Sequence, residues 1–211
     1  MTLVLEQFLN GLQFGVTLFL LAAGLTLIFG IMGVINLAHG SLYMIGAYAS
    51  ALTAAKTGSF FAAALAGPLA AGVAGVVIEF LVVRRLYARD HLDQVLATFA
   101  LILIVNQAAT MLVGRQPLFV AIPPALNGSI ELLPGLSYPV YRLAIIAIGL
   151  IVGTGLYLLI NRTRVGMLVR AGATDARMVS ALGVDIGRLF MIVFGFGAML
   201  AGFSGAMIAP I

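Results

Sequence analysis

Few residues of this chain could do polar chemistry inside an apolar stretch. Three of them stand together: Asn36, His39 and Ser41, in the run GLTLIFGIMGVINLAHGSLYMIGAYAS at 24–50. Glycines at 30, 33, 40 and 46 flank them. The run joins two apolar segments with almost no polar linker. An amide, an imidazole and a hydroxyl beside a bent backbone offer hydrogen bonding rather than bond breaking. Beside hydrocarbon, each of these groups needs a partner in the protein or in a wet cavity. Gly33, Asn36, His39 and Gly40 are therefore the candidate residues of a helix break. Two roles stay open for them: holding the break together through hydrogen bonds to nearby backbone, or lining a route across the membrane.

No catalytic constellation accompanies them. The patterns HExxH, GxxxxGK[ST] and GxSxG do not occur, and with no cysteine there is neither a disulfide frame nor thiolate chemistry. His39 and His91 are far apart, and neither has a carboxylate within its own span, so no metal site is expected. The acids Glu6, Glu79, Asp90, Asp93, Glu131, Asp175 and Asp185 fall nearly all in loops. Glu79 is the exception, about four residues from the inner end of an apolar span, where it can snorkel to the interface. An ion-coupling carboxylate is its alternative role. Asn106 and Gln107, in the outer half of another span, suit hydrogen bonds between helices or pathway lining.

The elements that must position these residues are membrane helices. The hydrophobic fraction is 63%, mean hydropathy is +1.18 and only 9% of residues are charged. A soluble domain carries about a quarter charged residues, so this chain has too little polar surface to cover a core in water. Spans of about 20 apolar residues are read at 12–31, 36–55, 60–83, 95–113, 141–160 and 189–209. The expected fold is all-α: a polytopic transmembrane helical bundle of about six spans with a break near 33–41. The first span is not a signal peptide, since no basic region precedes it and no polar domain follows.

Charge sets the topology. The net charge of +4 does not indicate nucleic acid, because the basic residues lie in loops between spans. Arg84, Arg85 and Arg89 fall in 84–94; Arg162, Arg164, Arg170, Arg177 and Arg188 fall in 161–188. Eight of the eleven basic residues thus occupy two loops, placed in the cytoplasm by the positive-inside rule. Lys56, Arg115 and Arg142 remain outside, as does the N-terminus. The outer loop 114–140 holds five of the seven prolines and reads as ordered but irregular. Its Leu118, Phe119, Val120 and Ile122 suggest a lid on the bundle; a plain connector is the alternative. Small residues repeat every four positions, as Gly67, Ala71 and Gly75 in one span and Gly197, Ala201 and Gly205 in another. Ala198, Gly202 and Ala206 lie one position over. Such stripes imply close helix packing, and Pro68 is a candidate kink.

In the inner loop, the stretch 173–182 lies between Gly172 and Gly183. It reads as a short helix with Thr174 or Asp175 as its cap and with Met178, Val179 and Leu182 on one face. Such a helix fits lipid headgroups or a groove in a partner protein.

Two segments, GLTLIFGIMGVINLAHGSLYMIGAYAS and RTRVGMLVRAGATDARMVSALGVDIGRLF, resemble those of the branched-chain amino acid ABC transporter permeases. Permeases for urea and amides are similar. The two motifs occur in the family's order, and the resemblance covers the chain from about residue 10. It implies a permease subunit in the bacterial inner membrane, working with a second permease subunit, two ATPase subunits and a periplasmic substrate-binding protein. The subunit itself would be no enzyme and hold no cofactor, with ATP bound by the partner subunits. The match gives Ala173, Thr174, Asp175, Ala176 and Gly183 to the helix that docks on the ATPase, with Met178, Val179 and Leu182 filling its groove. The family's early signature falls on Asn36 to Gly40. Family members usually continue for two or more further helices. The expectation is therefore one permease domain over 1–211, C-terminally truncated relative to the family, with 161–188 as cytoplasmic coupling loop. The alternatives are an ion-coupled secondary carrier and a non-transporting truncated fragment.

Overall fold

The computed structural model describes residues 2–114, 118 and 120–211. Eight helices and one hairpin are present among them, in the order α1 (Thr2–Met32), α2 (His39–Thr57), α3 (Phe60–Leu81), α4 (His91–Val113), β1 (Ser129–Leu133), β2 (Leu136–Pro139), α5 (Val140–Arg162), α6 (Arg164–Thr174), α7 (Ala176–Ala181) and α8 (Ile186–Ile208). A 3-10 turn, Val83–Leu86, follows α3. Helices α1, α3, α4, α5 and α8 are long and apolar enough to cross a membrane. The bundle is all-α and polytopic.

The helix ends follow local chemistry. Ser59, Thr163 and Asp185 each accept a hydrogen bond from a first-turn amide, of Ala62, Gly166 and Arg188. That satisfies donors which a helix start leaves open. Helix α1 ends at Gly33, whose φ of 64° is left-handed and whose N–H reaches the Phe29 carbonyl at 2.9 Å.

Helix α8 is the hub. Its small residues let α1, α2 and α3 approach on different sides, as the four-residue stripes predict. A side chain on Gly202 would collide with Ala71 and the Gly67 carbonyl of α3; one on Gly197 would meet Ile28 of α1 at 2.9 Å. Polar side chains add links between helices: Ser204 Oγ donates to the Thr17 carbonyl at 2.7 Å and Ser50 Oγ to that of Ala63 at 2.7 Å. The core cluster Ile28, Val34, Leu42, Val83, Phe194, Ala198 and Ala201 lies at these crossings. Pro68 sits inside α3 without ending it.

The two ends of the bundle differ in charge. At one end Ile31, Val169, Leu189, Phe190 and Val193 pack with Tyr87 and Ala176, so both arginine-rich loops meet there. At the other, Asn10 Oδ1 accepts from Tyr138 Oη at 3.1 Å and from Arg142 Nη1 at 2.5 Å, which ties the start of α1 to the 114–140 loop. That loop is more regular than its prolines suggest. It contains an antiparallel hairpin, β1–β2, turned at Gly135 (φ 79°). Of the expected lid residues, Val120 is buried and Ile122, with Leu126, packs on Leu20, Tyr141, Ile145 and Met207. Leu118 is half-buried, whereas Arg115, Pro117 and Phe119 lie outside the described residues.

Candidate functional site

The break lies deep in the bundle. His39 Nε2 is 3.1 Å from the Leu21 carbonyl. Leu21 stands eleven residues before Met32, the last residue of α1, or about 16 Å from that helix end at 1.5 Å per residue. The chain therefore leaves α1 at the arginine-rich end, runs back along it through 33–38 without helix, and starts α2 beside Leu21, well inside the bundle. The sequence expectation of a span from 36 differs by three residues, because these residues are drawn out rather than coiled.

Backbone amides drawn out at this depth need partners, and α4 supplies them. Ile35 N–H donates to Gln94 Oε1 at 3.1 Å and Leu37 N–H to Thr98 Oγ1 at 3.2 Å. Asn36 Oδ1 accepts from Ala38 N–H at 3.1 Å. Asn36 and His39 are both 3% exposed. Asn36 Nδ2 and His39 Nδ1 have no hydrogen-bond partner among the described residues. Since the Leu21 carbonyl can only accept, Nε2 carries the proton and Nδ1 is a bare acceptor in the neutral ring. The break thus holds one buried donor and one buried acceptor beside the positive end of α2. Gly33 and Gly40 are exposed on its rim.

Gln94 and Thr98 were not among the sequence candidates. Their signal was a glutamine and a threonine four apart at the start of an apolar span, hence on one helix face. Asn106 and Gln107 instead sit exposed on the outer half of α4. Neither side chain hydrogen-bonds another helix among the described residues, so the expected link between helices is not seen there.

Glu79 also differs from expectation. It is fully buried and does not snorkel. Arg84 Nη2 and Nε donate to its carboxylate at 3.1 and 3.2 Å, and Tyr87 Oη donates at 2.5 Å. Burial first, then the bond to Glu79, raises the Tyr87 phenol well above its ordinary pKa, so it remains a donor. Four residues are too few for a carboxylate to reach water here, because the loop after α3 folds back over it. The acid is committed to an ion pair rather than free to carry an ion.

At the arginine-rich end, the segment read as one helix from 173 is two. Ala173 and Thr174 close α6, Asp175 caps α7 by accepting from Met178 N–H at 3.0 Å, and Ala176 begins α7. Gly183 turns the chain away with φ 88°, a left-handed helix stop. The expected apolar face is divided. Met178 and Leu182 are 66% and 80% exposed, while Val179 is 7% exposed and turned inward. On the same face of α7, Ala176 packs against the cluster at the base of α8.

Three larger grooves open on the bundle surface: one of about 510 Å³ between α1 and α5, one of about 460 Å³ where α1, α5 and α6 meet, lined in part by Arg170 and Ala173, and one of about 440 Å³ between α3 and α8. All three are apolar, as lipid-facing helix seams are. No group of three or more metal-ligating side chains occurs among the described residues.

A family model described as branched-chain amino acid transport system / permease component matches residues 7–211. The high-affinity branched-chain amino acid transport system permease protein BraD of Pseudomonas aeruginosa is 28% identical over 217 residues, covering 97% of this chain and 70% of its own. LivH of Escherichia coli, a permease protein of the same description, is 29% identical over 225 residues with the same coverage. No solved structure matches.

Proposed function

The chain belongs to the branched-chain amino acid transport permease family, and from that premise we propose that it carries branched-chain amino acids or similar small polar molecules, urea and amides among them, across the bacterial inner membrane. It is a membrane-embedded transport subunit rather than an enzyme. Its relatives are permease components of larger systems. The proposed partners are two ATPase subunits, a second permease subunit and a periplasmic binding protein, with ATP bound and hydrolysed on the ATPase subunits.

The observation that carries this reading is the family match over 7–211. Geometry supplies a mechanism consistent with it. The arginine-rich end is placed in the cytoplasm by its charge. There 161–188 acts as the coupling loop: Met178 and Leu182 enter an ATPase groove, Asp175 fixes the helix start, and Gly183 directs the chain into α8. Val179 holds α7 to the bundle, so closure of the ATPases pushes α7 and α8 together. Alternating access follows when α8, the packing hub, rocks against its neighbours. Gly33, Asn36, His39 and Gly40 form the pathway break. There the Asn36 amide and the amino end of α2 suit a carboxylate, and His39 Nδ1 suits an ammonium donor.

The test is uptake of labelled leucine by vesicles holding the chain with its partner subunits and loaded binding protein. Uptake that requires ATP and ATPase subunits that co-purify are expected. Uptake driven by an ion gradient without ATP would instead make the chain a secondary carrier.

A further inference from the structure

We propose that Gln94 is a positioning residue that joins the cytoplasmic coupling region to the helix break at 33–38, so that the two move as one; this rests on the transport reading above. Gln94 is 2% exposed and uses its amide fully. Nε2 donates to the Leu86 carbonyl at 3.2 Å and to the Arg89 carbonyl at 3.2 Å. Oε1 accepts from Ile35 N–H at 3.1 Å and lies 3.4 Å from His91 Nδ1. One side chain therefore grips the loop after α3 with its donors and the break with its acceptor.

Each side of that grip leads somewhere. Tyr87, beside Leu86, bonds to Glu79 and stacks edge-on against Phe190 with ring centroids 5.3 Å apart. Phe190 lies in the first turns of α8, in the cluster that also takes in Ala176 of α7. A push on α7 thus reaches Leu86 and Arg89 through packed rings and an ion pair. On the other side, Thr98 continues what Gln94 begins: it accepts from Leu37 N–H and donates to the Gln94 carbonyl at 2.8 Å. Two residues of drawn-out chain advance about 6.6 Å, and four residues of helix about 6.0 Å. The matching spacing lets α4 serve Ile35 and Leu37 as a neighbouring strand would. The rest of α4 is largely exposed, with only Gln94 and Thr98 buried. Within this chain α4 is held at these two residues, so the break follows α4, and α4 follows the loop.

The experiment uses the complete transporter with Leu37→Cys as reporter, since Leu37 is 44% exposed beside the break and the chain has no native cysteine. Labelling of that cysteine should change about threefold or more between nucleotide-free and ATP-bound complex, as a shift between two states requires. Gln94→Leu should abolish the change, Thr98→Val should reduce it, and Thr98→Ser should restore it. In Gln94→Leu, uptake turnover should fall about tenfold with KM for the substrate within about twofold, while ATP hydrolysis continues. A merely structural role would lower the amount of folded complex without changing the labelling response of what remains. If Gln94→Leu does not fold, the Thr98 pair decides. A response kept in both Gln94→Leu and Thr98→Val, or absent from the unmodified complex, overturns the joint. Failure of the transport reading looks different, since no ATPase would then be bound at all.

Discussion

At the residue scale, the side chains at the break separate by which of their atoms are occupied. Asn36 uses Oδ1 to hold Ala38 N–H and leaves Nδ2 without a partner among the described residues. Asn36→Ala removes the held bond and should cost about 1–3 kcal/mol, the penalty of a buried donor left unmade. Thermal stability of the purified subunit measures it. Asn36→Asp keeps the cap oxygen and replaces only the free amide. Folded subunit should persist, with slower uptake of a carboxylate-bearing substrate; unchanged uptake would give Asn36 to structure alone. Tyr87→Phe deletes one charge-assisted bond to Glu79 and should lower stability by about 1.5–3 kcal/mol, again read by thermal unfolding. The sequence exposed Asn36 and His39 because polar groups stand out against apolar neighbours. It did not expose Gln94 and Thr98, whose value depends on which backbone they face. Glu79 misled for the same reason: its distance from a span end does not reveal the loop that folds over it.

At the element scale, small-residue stripes were legible because a four-residue spacing fixes a helix face before any partner is known. They did not reveal that α8 uses several faces at once. Gly202 lies against both Gly46 of α2 and Ala71 of α3. Gly202→Val should therefore destabilise the bundle by about 1–3 kcal/mol or more, the cost of overpacking, while the exposed Gly155 tolerates the same change. Folded yield and thermal unfolding of the two variants compare them directly. The outer hairpin was not visible, since prolines around 114–140 argue for irregular chain while Leu136 and Tyr138 are buried by contacts distant in sequence. The short helix expected over 173–182 is α7, begun by Asp175, one of its two expected caps, whereas α6, which takes Ala173 and Thr174, was not legible within the 161–188 loop. Only the backbone at Asp175, which closes one helix and opens the next, separates them.

At the scale of the whole molecule, charge and connectivity agree. Both arginine-rich loops meet at one end of the bundle and 114–140 covers the other, as the parity of the spans requires. Single cysteines at Ser137 and Ser180, both exposed, should label from opposite faces of the membrane. Labelling of both from one face would contradict the topology. Composition made the membrane legible, and two motifs made the family legible. The place of the break along α1 was not, because it depends on where α2 starts against that helix. The central claim is that α7 passes ATPase work into this bundle. Its most direct measurement is ATP hydrolysis stimulated by the loaded binding protein, in the complete subunit set, with and without Met178→Asp and Leu182→Asp together. Both side chains are exposed and outside the spans, so insertion should be unaffected. The account predicts loss of co-purifying ATPase, or hydrolysis no longer tied to uptake. Full retention of both ATPase binding and stimulated hydrolysis in the double variant would contradict it.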